Sequence, residues 1–404
     1  GRAADLLGQR SMFVFGLALF GVASLAGGLS GAQVPLVIAR AVQGLGGAVV
    51  APVTLSVLTT TFAEGAERNR ALAAWGAMGA AGGASGALLG GILTEALGWQ
   101  WILFINVPIA VGGALAAYRV IPAALDAARA GERHYDALGA LTVTAGLVLV
   151  TFGIVRTDVN GWGSATTLGT LAAGLALLGV FVAVEMRFSR RPLVPLDIFN
   201  TRTVTAANIV VFFMGSAVFA MWYFVSRYLQ QVLGYSAIEA GLAFLPMTAG
   251  IAVASAIAGR LSGRVGAGRV LSGGMVLIAI GMLGFSFVSA DGNFWRDVLV
   301  PGVVTAVGLG FSFVPVTIAA TAGVERSRAG LASGLINTSR QLGGSLGLAV
   351  LATVATSAAT GATAAGLTEG FRVAFLVGAG FAVAGAVTSL GGLSRVPRPV
   401  PEAA

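Results

Sequence analysis

The 404-residue chain has no cysteine, a single histidine, and charge on only 10% of its positions, and all 24 of its basic residues are arginine. Without cysteine there is no disulfide framework, no thiol nucleophile and no thiolate metal site. Without lysine there is no phosphate-binding Gly-Lys-Ser/Thr loop, which excludes ATP-driven work through a Walker site of its own. So little charge cannot cover the surface of a water-soluble domain of this length. What is present is 56% hydrophobic residues, a mean hydropathy of +0.90 and 60 glycines. No Gly-x-y period appears, so collagen is excluded. The combination points to packed transmembrane helices, where glycine lets backbones approach closely. The net charge is +8, yet no basic run is longer than Arg190-Arg191. The charge therefore reads as loop charge that sets membrane orientation, and no nucleic-acid partner is expected. No cleavable signal peptide is recognised, and internal spans need none.

A membrane-spanning helix needs about 20 predominantly apolar residues. That rule predicts twelve spans, at 12–30, 34–61, 71–94, 101–121, 138–155, 164–186, 203–226, 239–258, 270–290, 298–319, 330–357 and 371–392. These runs are too long and too uniformly apolar for the alternation of barrel strands. The expected class is an all-α polytopic membrane protein. With the segment before the first span in the cytoplasm, eighteen arginines fall inside. Four (Arg156, Arg227, Arg296 and Arg372) fall outside, and Arg40 and Arg340 lie within spans. This asymmetry sets the topology: Arg10, Arg191 and Arg264 cytoplasmic, Asp158 and Asp291 external.

An internal repeat is present. Gly1, Arg2 and Gly8 recur as Gly259, Arg260 and Gly266; Glu67, Arg68, Arg70 and Ala71 recur as Glu325, Arg326, Arg328 and Ala329; Gly76 and Gly86 recur as Gly334 and Gly344. Every pair is 258 positions apart. Copies with the same membrane orientation imply parallel halves. Eight spans separate the copies of the first motif where a six-helix half would give six, so two helices, 138–155 and 164–186, read as inserted. The predicted domains are an N-terminal bundle (1–121), the inserted pair with its linkers (122–202), a C-terminal six-helix bundle (203–392) and a cytoplasmic tail (393–404).

Five strings carry the chemistry. Gly1-Arg2-Ala3-Ala4-Asp5-Leu6-Leu7-Gly8-Gln9-Arg10 has glycines suited to a tight reversal and an Asp that can cap a helix or pair with an Arg. Arg40-Ala41-Val42-Gln43-Gly44-Leu45-Gly46-Gly47 places a costly charge inside a span, with Gln43 about one turn along the same face. Gly82, Gly86 and Gly90, with Gly91, recur in a way that suits close helix packing. Tyr228-Leu229-Gln230-Gln231-Val232-Leu233-Gly234-Tyr235-Ser236 precedes Glu239, and Ser236 and Glu239 have capping-box spacing. Asn337-Thr338-Ser339-Arg340-Gln341 is polar within an apolar span.

Together these strings resemble the major facilitator superfamily and, within it, the fourteen-helix drug:proton antiporter branch. The resemblance covers essentially the whole chain. It implies two parallel-repeat helical bundles with two inserted central helices. It gives Arg40 and Gln43 a role in proton coupling, against the alternative of an Arg reaching back to the outer interface. Gly1, Asp5, Gly8 and Arg10, with Gly259, Arg264 and Gly266, become a cytoplasmic gate, against a plain turn with a capping Asp. Gly263 stands where the second copy would carry its Asp. Gly44, Gly47, Gly82, Gly86, Gly90 and Gly91 become the packing glycines of the antiporter motif, although Ala87 replaces the customary Pro. Phe213, Trp222, Tyr223, Asn337, Arg340 and Gln341 become candidates for the substrate cavity. His134 reads as solvated, and Trp99 and Trp101 as an interfacial belt.

The implied function is proton-coupled secondary export of hydrophobic, often cationic, drugs or antibiotics by alternating access. It implies no enzyme activity, no cofactor beyond the proton gradient, and a monomer in the inner membrane of a bacterium. The expected partners are the lipid bilayer, protons and a small hydrophobic substrate. The alternatives are a non-transporting membrane sensor or scaffold that reuses the fold, or an uptake carrier for a small polar solute. All sixteen acidic residues fall in loops or near span ends. A proton-coupled carrier normally needs an ionisable group in its pathway. Two further spans carrying a membrane-embedded carboxylate are therefore expected before Gly1, and the chain without them is not expected to transport.

Overall fold

The computed structural model describes residues 8–62, 66–121, 136–188, 192, 194–321, 324 and 329–393. Gly1, Asp5, His134, Arg191 and the 325–328 part of the repeat lie outside the described residues. Among the described residues the regular structure is helical throughout. In chain order the helices are α1 (Gln9–Gly28), α2 (Gln33–Thr61), α3 (Ala66–Leu97), α4 (Trp101–Phe104), α5 (Asn106–Val120), α6 (Ala137–Val155), α7 (Thr157–Asn160) and α8 (Ala165–Ala183). They continue as α9 (Arg202–Arg227), α10 (Ala237–Ala243), α11 (Leu245–Val265), α12 (Ala267–Phe285), α13 (Val300–Thr321), α14 (Ala329–Ala358) and α15 (Ala364–Leu393). Among the described residues, eleven stretches are long and apolar enough to cross a membrane. The remaining predicted span, 71–94, lies inside the 32-residue α3.

Local chemistry sets several of the helix starts. The Asp136 carboxylate accepts from the Gly139 N–H at 2.7 Å and caps α6. Ser164 accepts from the Thr167 N–H at 3.1 Å and caps α8. Before α10, Ser236 and Glu239 form the full capping box, at 3.2 and 2.8 Å. These bonds satisfy N–H groups that the first turn leaves orphaned.

The span predicted at 239–258 is instead two helices, α10 and α11, with the break before Pro246. At its other end α11 continues to Val265, so Gly259 and Gly263 are helical rather than part of the turn. Leu261 and Val265 continue the apolar face at i, i+4, and the Ser262 hydroxyl donates to the Ala258 carbonyl at 2.7 Å. Only Gly266 makes the turn, at φ 97° and ψ 138°. Gly8, its partner in the repeat, has φ 96° and ψ 136°. Both are positions where a side chain would be strained.

The described residues fall into two compact units. One comprises residues up to 121 together with Ser236–Leu245; the other comprises 136–235 and the chain from Pro246. In the first, α1 packs on α2, α4 and α5, and α10 packs on α3. In the second, α9 packs on α14 and α15, and α12 on α13 and α15. Small residues make these crossings close. The Ser216 hydroxyl donates to the Gly343 carbonyl at 3.0 Å, and the backbones of Gly274 and Gly308 face each other. Helices α6 and α8 pack through Gly146 and Gly174, and α6 lies on α14. Thr157 and Thr353 share a hydrogen bond of 3.2 Å there, both buried. Large apolar side chains such as Val22, Met78, Leu115, Leu141 and Phe287 are exposed, as a lipid-facing surface requires.

Candidate functional site

In the first unit α2 carries Arg40 about 10 Å from its start, seven residues in at 1.5 Å each. The guanidinium donates to the Gln43 side-chain oxygen, one turn along. Gln43 in turn donates to the Ser24 hydroxyl of α1 at 2.5 Å, and Ser24 donates to the Phe20 carbonyl at 2.7 Å. Gln43 is 3% exposed and Ser24 fully buried, whereas Arg40 is exposed. No carboxylate among the described residues pairs with Arg40. The arrangement is a directional relay that ties a cation on one span to the backbone of another. Within a protein such a chain of donors is strengthened by the low dielectric. Ser24 escaped the sequence reading; its only signal is a hydroxyl deep in the apolar α1.

The relay is possible because α1 and α2 touch backbone to backbone. A Cβ on Gly46 would stand 2.7 Å from the Phe20 nitrogen and 2.9 Å from the Gly16 carbonyl. Five of the six predicted packing glycines behave differently. Within this unit nothing lies within 4 Å of a Cβ on Gly44, Gly82, Gly86 or Gly90, and Gly47 only reaches the Phe20 ring at 4.0 Å. Gly46 is two residues, or about 200° of helix rotation, from Gly44, so the two face opposite sides. In α3 the close approach is at Gly91, against the Ala237 carbonyl of α10. There the Glu95 carboxylate accepts from the Ile238 N–H at 3.0 Å.

Of the gate residues, Gly8 and Gly266 are the matched turn positions. Arg10 places its guanidinium 4.6 Å from the centre of the Tyr118 ring on α5. Gly259 and Arg264 are exposed on α11.

The second unit does not gather its six cavity candidates into one place. Arg340 donates to Asn337 at 2.7 Å and lies 5.5 Å from the Phe313 ring centre. Tyr223 belongs to the far end of α9, where Arg227 donates to its hydroxyl at 3.0 Å. Trp222 is half-buried beside it, and Gln341 is exposed. Phe213 contributes to a cleft of about 380 Å³ with Phe199, Thr205, Asn208, Ile209, Phe212 and Ser339. Inside it Ser339 donates to the Asn208 amide oxygen at 2.7 Å, and Asn208 donates to the Val204 carbonyl at 2.8 Å. Ser339 belongs to the polar string at 337–341 read from the sequence, whereas Asn208 was not singled out, because a lone Asn in an apolar span carries no pattern of its own.

The matched glycine turns and the buried polar relay are accompanied by a family match: the model of the Major Facilitator Superfamily covers residues 1–348. The chain belongs to the major facilitator superfamily. Among its relatives is the cephamycin export protein CmcT of Amycolatopsis lactamdurans, 40% identical over 369 residues, which are 90% of this chain and 75% of that protein. Another is the puromycin resistance protein pur8 of Streptomyces alboniger, 35% identical over 91% of this chain and 72% of that protein. A crystal structure of a peptide transporter superposes with a TM-score of 0.63 at 15% identity, covering 98% of this chain and 82% of that one. That likeness concerns the fold alone. The fold class expected from the sequence, an all-helical major facilitator protein with many membrane spans, is the one found.

Proposed function

We propose that this major facilitator protein exports hydrophobic antibiotics or drugs across a bacterial cytoplasmic membrane in exchange for protons. The functions its relatives are named for, export of a cephamycin and resistance to puromycin, support the direction and the substrate class. The observation that carries the coupling is the Arg40–Gln43–Ser24 relay. An arginine inside a span costs about 2.5–3.5 kcal/mol on insertion scales, and such residues usually mark ion or substrate pathways. Arg40 is expected to stabilise a carboxylate in its ionised form, and Gln43 and Ser24 to hold the guanidinium in register. Asn208, Ser339 and the aromatic rings around them suit a flat apolar substrate carrying one or two polar atoms.

The test is drug efflux from proteoliposomes under an imposed pH gradient, with and without an uncoupler. Efflux should need the gradient and stop with the uncoupler. Arg40→Ala should abolish gradient-driven efflux at unchanged protein yield, since removing the charge removes an insertion cost. Arg40→Lys should keep part of the activity, because it keeps the charge but loses the planar fork. Unchanged efflux in Arg40→Ala at equal protein level would remove the coupling role.

A further inference from the structure

A groove of about 550 Å³ opens on the second unit where the end of α11, the start of α12 and the end of α15 meet. Its walls are apolar, with Leu261, Val265, Val276, Leu277, Phe311 and Leu390 among them, and Arg269 stands at one end. Val265, Val276 and Leu390 are exposed in it. Gly273 forms part of its floor, with nothing within 4 Å of where a Cβ would be.

Three observations fix the occupant. First, the dimensions: from Arg269 to Leu277 along α12 is eight residues, about 12 Å, close to the roughly 15 Å of one leaflet of hydrocarbon. Second, the charge: Arg260, Arg264 and Arg269 are all exposed within about a turn and a half of Gly266. None has an acidic partner among the described residues; Arg269 spends one donor on the Val265 carbonyl at 3.2 Å and keeps the rest. Third, the place: the arginine distribution assigns this end of α11 and α12 to the cytoplasmic side. That assignment puts the basic groups at headgroup level, with the apolar trough running from them toward mid-membrane.

We infer that this groove is a binding site for an anionic phospholipid of the cytoplasmic leaflet. One acyl chain lies along Val276, Leu277 and Phe311, and the phosphate is held by Arg269 with Arg260 and Arg264 nearby. Basic pockets between spans at the cytoplasmic face recognise anionic headgroups in this way. The occupant also covers apolar surface that α11 leaves open against α12. The site is separate from the Arg40 relay and does not depend on the transported substrate.

The experiment is native mass spectrometry of the purified full-length protein incubated with equal amounts of phosphatidylglycerol and phosphatidylcholine. Wild type should retain phosphatidylglycerol by about fivefold or more over phosphatidylcholine, the weight of one basic residue at a charged surface. Arg269→Gln should reduce that preference by about fivefold while leaving phosphatidylcholine unchanged. Gly273→Leu, whose Cβ meets nothing within 4 Å and whose side chain takes up groove volume, should lower retention of both lipids while the protein melts no earlier in lipid-free detergent. Equal retention of the two lipids by wild type would overturn the proposal, as would unchanged retention in both variants. A thermal shift with inorganic phosphate equal to that with phosphatidylglycerol would show an anion site only and would equally overturn it.

Discussion

Gly46→Ala adds one methyl group at the tightest point between α1 and α2. Its Cβ would stand 2.7 Å from the Phe20 nitrogen and 2.9 Å from the Phe20 Cα and the Gly16 carbonyl, whereas ordinary contact begins at 3.4 Å. The neighbours are backbone, so no rotamer change relieves the overlap of about 0.7 Å and the helices must part. Overpacking of this kind costs about 1–3 kcal/mol. Against it stands the gain of about 1 kcal/mol when a mid-helix Gly becomes Ala. Gly44→Ala receives the same helix-propensity gain with nothing within 4 Å to oppose it. Propensity cancels between the two variants, so their difference isolates the overlap. Gly46→Ala should be less stable than Gly44→Ala by about 1–3 kcal/mol. The assay is thermal or chemical unfolding of purified protein in detergent micelles, reading the order Gly44→Ala above wild type and Gly46→Ala below Gly44→Ala. Equal stability of the two variants would refute the close contact at Gly46.

Ser24→Ala removes the acceptor of the Gln43 amide and should cost about 1–3 kcal/mol for a buried unsatisfied donor, read by the same unfolding assay together with a loss of gradient-driven efflux. Thr157→Val and Thr353→Val should show a coupling of about 0.5–1.5 kcal/mol in a double-mutant cycle; additive effects would show that the bond between α7 and α14 contributes nothing. Single cysteines placed in this cysteine-free background at positions 10 and 264 should resist an impermeant thiol reagent in intact cells, and one at 291 should react; the reverse pattern would invert the topology.

Much of this fold is legible in the sequence, for a physical reason. A bilayer leaves backbone groups no water, so a run of about 20 apolar residues has few options other than a helix. That constraint gave the spans from composition alone, to within a few residues for α1, α2, α6 and α8. The 258-residue repeat was likewise visible, and the φ and ψ of Gly8 and Gly266, matching to within 2°, express it in the backbone. Local capping was readable as well: Ser236 and Glu239 have the spacing of a capping box and form one.

What the sequence determined by itself was therefore the class, the order and approximate bounds of the spans, and the position of the costly charge at Arg40. Each depends on short-range spacing or on transfer between water and lipid, which a linear string records. The tertiary structure alone decided which glycine touches a neighbour, Gly46 rather than Gly44, and that the buried Ser24 completes the relay to Gln43. It alone paired Asn208 with Ser339, 131 positions away, and kept Tyr223 with Arg227 instead of with Arg340. Those outcomes turn on how one helix is rotated about its axis against another. In a span apolar on every side, nothing in the periodicity fixes that rotation, and only packing does.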